Sequence, residues 1–420
     1  MERRAAVCKD RFVRDSLTAV QMDLAHAALM AGRDPTPRVQ RMAAAIHGAE
    51  ALRGLHMYRA CDAPGRRLAK PARPKCTGAD LVLDVADLED DFYGTPVAWS
   101  SAGLLAIIAQ GAVNIWDPSR RDGGAYGGAH VLDVPDPKAV GWLPDGLACI
   151  VGFKTGELYT VDAAVRSSPG IRLHTTDGAR VQAIASNIAG PGLMVAAGSA
   201  AGQVTVFDPR APSAIAVLAG IQGSVCGLAW SPDGNSLAVG GNDNSARLWD
   251  VRRSDYSVLG HHRAAVKAIA WCPWAPNLLA TGGGTNDGAV HFWNAAARLR
   301  VGSSLETGSQ IMAIVWSPAW AGEILTAHGY GFRAGAADSK LAVWDYPLAA
   351  DGERVPVTTI PAVAHTRILQ AIPSPDGTRV TTVSSIERAV AVWPLWTHRY
   401  VSTTSVDRRF DRTAYAYALR

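Results

Sequence analysis

The chain has 420 residues, 48% hydrophobic and 19% charged, room for two or three ordinary domains or one large closed architecture. Its 41 Gly, 24 Pro and 13 Trp favour many short strands and tight turns over long helices. Net charge is +4, but residues 1–80 alone carry 15 Lys/Arg against 8 Asp/Glu, so the basicity belongs to an aromatic-poor arm, which argues against a nucleic-acid groove.

That arm comes first in the chain. Leu17, Val20, Leu24 and Ala28 recur at helical spacing, and Val39, Ala43 and Ile46 suggest a second short helix. Helices this short are marginal alone, so residues 1–80 read as a partly disordered, weakly helical arm that orders on a partner. Residues 61–80 read as a Pro- and Arg-rich linker. The start, MERRAAVCKDRF, has no apolar signal core, and a soluble intracellular protein is expected. Six cysteines (Cys8, Cys61, Cys76, Cys149, Cys226, Cys272) form no CxxC pair, so neither a disulfide framework nor a metal site is expected.

From residue 81 the sequence repeats. Unit ends fall at Trp116, Tyr159, Phe207, Trp249, Trp293, Trp344 and Trp393, at intervals of 43, 48, 42, 44, 51 and 49 residues. This is the period of a WD-type propeller blade. A second marker, Trp99-Ser, Trp142-Leu-Pro-Asp-Gly, Trp230-Ser-Pro-Asp-Gly, Trp271-Cys-Pro, Trp316-Ser-Pro and Pro373-Ser-Pro-Asp-Gly, recurs between those ends as a turn between two strands. The uncharged stretches 97–116 and 181–207 are broken at turn positions and read as paired strands, not membrane spans. The predicted fold is all-β: a seven-bladed WD40 β-propeller over 81–400, with a tail over 401–420. Residues 81–85 (LVLDV) are predicted to supply the outer strand of the last blade and so fasten the ring.

Three units carry an Asp six positions before the closing Trp: Asp243, Asp287 and Asp338. These read as structural, each holding a turn and orienting a His, with His262 available to one of them. Nearest in sequence to His261 and His262 are Asp250 and Asp255, and no nucleophile–base–orienter set emerges. The glycine runs at 282–285 and 329–331 lack the P-loop lysine and strand–helix setting, so they read as blade turns. Binding by loops on a rigid scaffold is expected, not catalysis, with no cofactor. Asn242, Asn244, Thr285, Gln310 and Arg367 are the polar loop residues that blade register would bring to one face, although an ordinary turn role suits each.

Residues 90–101 (DDFYGTPVAWSS), 240–244 (GGNDN), 262–274 (HRAAVKAIAWCPW) and 277–285 (NLLATGGGT) resemble the Fizzy and Fizzy-related family. Its members are substrate-recruiting coactivators of the anaphase-promoting complex, a ubiquitin ligase. The resemblance implies that Asn242, Asn244, Thr285, Gln310 and Arg367 grip the KEN degron of substrates, whose side chains need both donors and acceptors. It implies that Asp91 pairs with the destruction-box arginine in a groove between the first and last blades. It further implies that Asp10, Arg11, Phe12 and Val13 open the ligase-docking C-box, and that Leu419-Arg420 stands for the family's Ile-Arg tail.

The chain departs from the family in places. Arg14, Asp15 and Ser16 follow Val13, without the family's Pro and Arg. Ala98 replaces a common acidic residue, and Glu387-Arg388 replaces an Asp-Glu pair, putting Arg388 where it would repel a degron arginine. The expectation is a divergent coactivator of the nucleus and cytoplasm, specialised to a phase such as meiosis. Its expected partners are ligase subunits, degron-bearing substrates and checkpoint or pseudosubstrate inhibitors, with no membrane or nucleic acid. A general WD scaffold that has lost coactivator function is the alternative; a propeller enzyme or a chromatin reader using the basic arm are weaker ones.

Overall fold

A computed structural model of the chain describes residues 76–396, apart from residue 77 and the stretches 119–129, 133–135, 164–170, 175–176, 188–192, 212, 252–254, 319–321, 332–340, 347–357 and 361–366. The predicted arm helices, Asp10 to Val13, Asp338, Leu419 and Arg420 all lie outside the described residues. Those described belong to one unit, 75–420.

Every regular element among them is a β-strand, and the strands form seven antiparallel sheets. Blades one to six take their strands in chain order, at 97–132, 137–174, 181–218, 225–261, 266–306 and 309–360. Blade seven is different. Its three inner strands come from 370–393, and its outer strand is Leu81–Asp84, paired with Ala389–Trp393 through Leu81↔Val392 and Asp84↔Ala389. The first described strand thus locks the last sheet, as the sequence predicts, and protects an edge that would otherwise stand open. Burial follows from this layout. Middle strands such as Met194–Ser199 and Leu278–Gly283 are almost wholly buried, whereas outer strands such as Ala214–Leu218 alternate with period two.

Two repeated contacts join neighbouring blades. The tryptophan ending an inner strand donates its indole N–H across the gap to the previous blade's inner strand: Trp142 to the Ala98 carbonyl, Trp230 to Ala185, Trp271 to Ala229 and Trp316 to Ala270, each at 3.0 Å. This is the physical reason for the second sequence marker. The other contact uses glycine. Gly152, Gly198, Gly240 and Gly282 receive the branched side chains of Val181, Val225, Val266 and Ile311, which open the following blade. A Cβ on Gly240 would overlap the Val266 main-chain carbonyl oxygen and stand 2.9 Å from Val266 Cγ1. The join between blades seven and one lacks the indole tie, because Trp99 Nε1 is buried with no partner. There the Gln370 amide holds Val97 from both sides, Nε2 donating to the Val97 carbonyl at 2.8 Å and Oε1 accepting from its N–H at 3.1 Å.

The blade-two end differs from expectation. Cys149 pairs with Val161, as Leu237 pairs with Trp249 in blade four, so Val161-Asp162 closes this unit and not Tyr159. Tyr159 lies one pleat earlier on the same face, where its ring meets Phe153 edge-on. Antiparallel order sends alternate turns to opposite rims. The Ser-Pro-Asp-Gly turns share one rim; the second-to-third-strand turns and the segments leading into each blade share the other. Gly240→Val is expected to overpack the blade four–five junction and cost roughly 1–3 kcal/mol, read as a lower denaturant midpoint at unchanged m-value.

Candidate functional site

The segment between the fastening strand and blade one does not run directly from one to the other. It crosses the rim opposite the Ser-Pro-Asp-Gly turns and contacts five blades before it enters blade one. Asp90 Oδ1 accepts from Arg367 and from Ser385, each at 3.0 Å, facing blade seven. Phe92 and Tyr93 stack edge to face, and the Tyr93 hydroxyl donates to Asn242 Oδ1 of blade four at 3.1 Å. Lys267 of blade five reaches the Phe92 and Gly94 carbonyls at 2.5 and 3.1 Å. Asp91 pairs with Arg180 at the start of blade three, and Glu89 with Lys138 of blade two at 2.5 Å. Thr95 then bridges Ala139, which leans the segment over blades two and three before it enters blade one.

All five residues predicted to grip the peptide lie on this rim. Asn242, Asn244 and Thr285 sit in second-to-third-strand turns; Asn242 and Thr285 are exposed. Asn244 has a left-handed φ of 65°, a conformation that Asn tolerates, and its carbonyl accepts the His262 N–H at 2.8 Å. Gln310 and Arg367 are buried. Gln310 Oε1 accepts the Tyr330 N–H at 3.4 Å. The Arg367 guanidinium faces the rings of Tyr330 and Phe92, at 5.1 and 6.0 Å, and its Nε is buried without a partner. Asn242, Gln310 and Arg367 are therefore linked through Phe92, Tyr93 and Tyr330. Thr285 stands apart from that cluster by any bond described.

The acidic position requires a correction. Asp91 does not face the groove between the first and last blades. It points toward Arg180 and lines a cavity of about 480 Å³ between blades one and two, with Glu89, Asp136, Gln110 and Lys138. The lean imposed by Thr95 turns it that way, and Asp90 is the carboxylate that faces blade seven. The groove between blades seven and one is apolar, walled by Leu83, Val85, Ile107, Ala109 and Trp116. Arg388 stands at its edge, exposed and with φ 51°, its carbonyl accepting the Val85 N–H at 2.6 Å.

Sequence reasoning passed over Asp90, Phe92, Tyr93, Arg180, Lys267 and Tyr330. One signal was present: Lys267 is a lone charge in the apolar run AVKAIAW. Burial pulls its ammonium down to about 7, and the Arg367 charge acts in the same direction. Burial also pushes the Cys149 and Cys226 thiols up to about 12, which leaves them poor nucleophiles.

The expectation that a repeat aspartate orients His262 holds in blade five. His262 Nδ1 meets Asp287 at 2.5 Å and its Nε2 meets Thr281 Oγ1 at 2.8 Å, while Trp293 Nε1 donates to the same hydroxyl at 2.8 Å. Asp287, six positions before Trp293, thus orients His262 as the repeat pattern predicts. Blade four keeps Asp243 but pairs it with Arg247 at 2.7 Å; Val239 stands where blade five has Thr281, leaving Trp249 Nε1 without a partner. His262, Asp287 and His291 lie close enough to suggest a metal site. The two imidazoles, however, stack face to face at 4.0 Å and 15°, so their in-plane lone pairs run side by side and do not converge on one ion. Burial, with the His262 and Arg300 charges, lowers His291 to about 3 and keeps it neutral. An unfolded histidine takes up a proton below about 6.5, so this residue stabilises the fold at neutral pH and that contribution fades as pH falls. Unfolding free energy should lose about 2 kcal/mol between pH 7 and pH 5 through this group. His291→Phe should remove that part of the slope, measured by urea titration at both pH values.

The comparisons with known proteins agree with this architecture. Residues 83–393 match the CDC20/Fizzy WD40 domain. The chain belongs to the CDC20/Fizzy family. It is 34% identical over 382 residues to the WD repeat-containing protein slp1 of Schizosaccharomyces pombe, covering 90% of this chain and 73% of that protein. It is 31% identical to cell division cycle 20.5, cofactor of APC complex, of Arabidopsis thaliana, covering 90% and 86%. Among solved structures, a chain of a mitotic checkpoint complex superposes with a TM-score of 0.67 at 34% identity, covering 80% of this chain and 97% of that one.

Proposed function

We propose that this CDC20/Fizzy-family chain is a noncatalytic activator of the anaphase-promoting complex, recruiting substrates by their short degrons. The observation that carries the reading is the family match along the whole propeller, 83–393, together with five predicted peptide contacts on one rim. The names of its relatives, one a cofactor of the APC complex, support the activator role, and the checkpoint-complex neighbour supports checkpoint inhibitors as further partners.

The chemistry of the rim suits a KEN peptide. Exposed Asn242 and Thr285 offer acceptors and donors to a lysine and an asparagine. Arg367 offers a guanidinium to a glutamate, trading its bond to exposed Asp90 for one to the peptide. The apolar groove beside Leu83, Val85 and Trp116 fits the apolar part of a destruction box, with Asp90, the carboxylate that faces blade seven, for its arginine. Arg388 at the groove edge disfavours that arginine, so a preference for KEN over destruction-box peptides is expected. Ligase docking would rest on Asp10 to Val13 and on Leu419-Arg420, and action in nucleus and cytoplasm follows from the substrates such a receptor serves.

A fluorescent KEN peptide should bind the purified chain, and Asn242→Ala with Arg367→Ala should weaken it at least several-fold; unchanged affinity would remove the assigned face. Arg388→Glu should strengthen destruction-box binding by about fivefold or more and leave KEN affinity unchanged. Deleting residues 10–16 should abolish co-purification with the ligase. A full-length chain that brings down no ligase subunit would favour the scaffold reading.

A further inference from the structure

One buried side chain, Lys267, holds the main chain of the rim segment. The inner strands of blades two to five each break register at their second residue, Lys138, Gln182, Cys226 and Lys267. Such bulges re-aim a side chain out of the ladder. Lys138 reaches two carboxylates, Glu89 and Asp136. Among the described residues, Lys267 reaches no carboxylate. Its ammonium donates to three main-chain carbonyls: Phe92 at 2.5 Å, Gly94 at 3.1 Å and Leu369 at 3.2 Å. It also stands 5.5 Å from the centre of the Phe92 ring. Burying an ammonium without a counter-charge costs several kcal/mol, which a Met or Leu at an inner-strand position would avoid. The acceptors belong to the two segments that carry Asp90, Tyr93 and Arg367.

We propose that Lys267 is the positioning residue of the peptide face: it fastens the Phe92–Gly94 segment and the approach to blade seven onto blade five, and so sets where Asp90, Tyr93, Asn242 and Arg367 present their polar groups. The inference rests on the degron-receptor reading and adds to it a residue that touches no substrate. Three acceptors match the three N–H groups of an ammonium. A neutral amine has two, and loses its attraction to the Phe92 ring. The charged and titratable groups that face it are Arg367, itself paired with Asp90, and the Cys226 thiol on blade four. The ammonium titrates near neutral pH, so the fastening loosens as pH rises through that region.

The test uses the full-length chain and Lys267→Met, a side chain of similar length without charge. Hydrogen exchange of residues 90–94 and 368–370 should speed up about tenfold or more in the variant, with exchange of the inner strands of blades two and three unchanged. Affinity for an acetylated KEN peptide should fall by about tenfold. In the wild type the same affinity should weaken from about pH 6 to about pH 8.5, and in Lys267→Met it should not change over that range. The wild-type pH series stands even if the variant does not fold. Unaltered exchange at 90–94 would overturn the proposal, as would acceleration spread equally over all blades or a pH-independent wild type. If the wild type binds no KEN peptide at all, the receptor reading fails, and the exchange comparison still decides the role of Lys267.

Discussion

A ring of sheets has to close, and everything on the rim depends on how this one does. The pairing of Leu81–Asp84 with Ala389–Trp393 makes the residues just after position 84 start at blade seven and end at blade one. The chain between them spans the seam, and it takes a detour across the rim. Closure therefore both protects the last edge and delivers a segment rich in Asp and aromatic residues to the mouth of the propeller. A strand contributed from elsewhere in the chain would close the ring equally well but would leave the rim without Asp90, Phe92 and Tyr93.

The seam lacks the tie that four of the seven junctions share. Four junctions are tied by an indole N–H that crosses to the neighbouring inner strand, and the seam has a buried Trp99 with nothing to donate to. It relies on the Gln370 amide and on the shared outer strand. An apolar groove runs beside this join, which suits a place where an extended peptide lies between two blades. Blade five is at the other extreme. Its Asp287–His262–Thr281–Trp293 chain is complete, and it supplies the lysine that holds the rim segment. Rigid support on one side of the mouth and an open groove on the other is a reasonable division of labour for a peptide receptor.

The repeat, its closing strand and the rim that bears Asn242 and Arg367 were legible in the sequence because period and turn chemistry are local properties. Blade two was misread by two residues because its unit ends in Val161, an aliphatic residue in a place where the other units keep an aromatic ring. The direction of Asp91 was not legible at all. It depends on Thr95 meeting Ala139 and on Arg180, which lies 89 positions further along the chain. Lys267 was visible as a misplaced charge, but its three carbonyls come from segments 102 to 175 residues away.

The account stands on one rim acting as the receptor surface, with the segment at 90–94 as part of it. Hydrogen exchange of the full-length chain with and without a saturating KEN peptide tests this most directly. The account predicts slowed exchange at 90–94, 242–244 and 367–370, and no change in the turns at 231–235 and 374–379 on the other rim. Slowing confined to those Ser-Pro-Asp-Gly turns, or none anywhere while the peptide is bound, would contradict it.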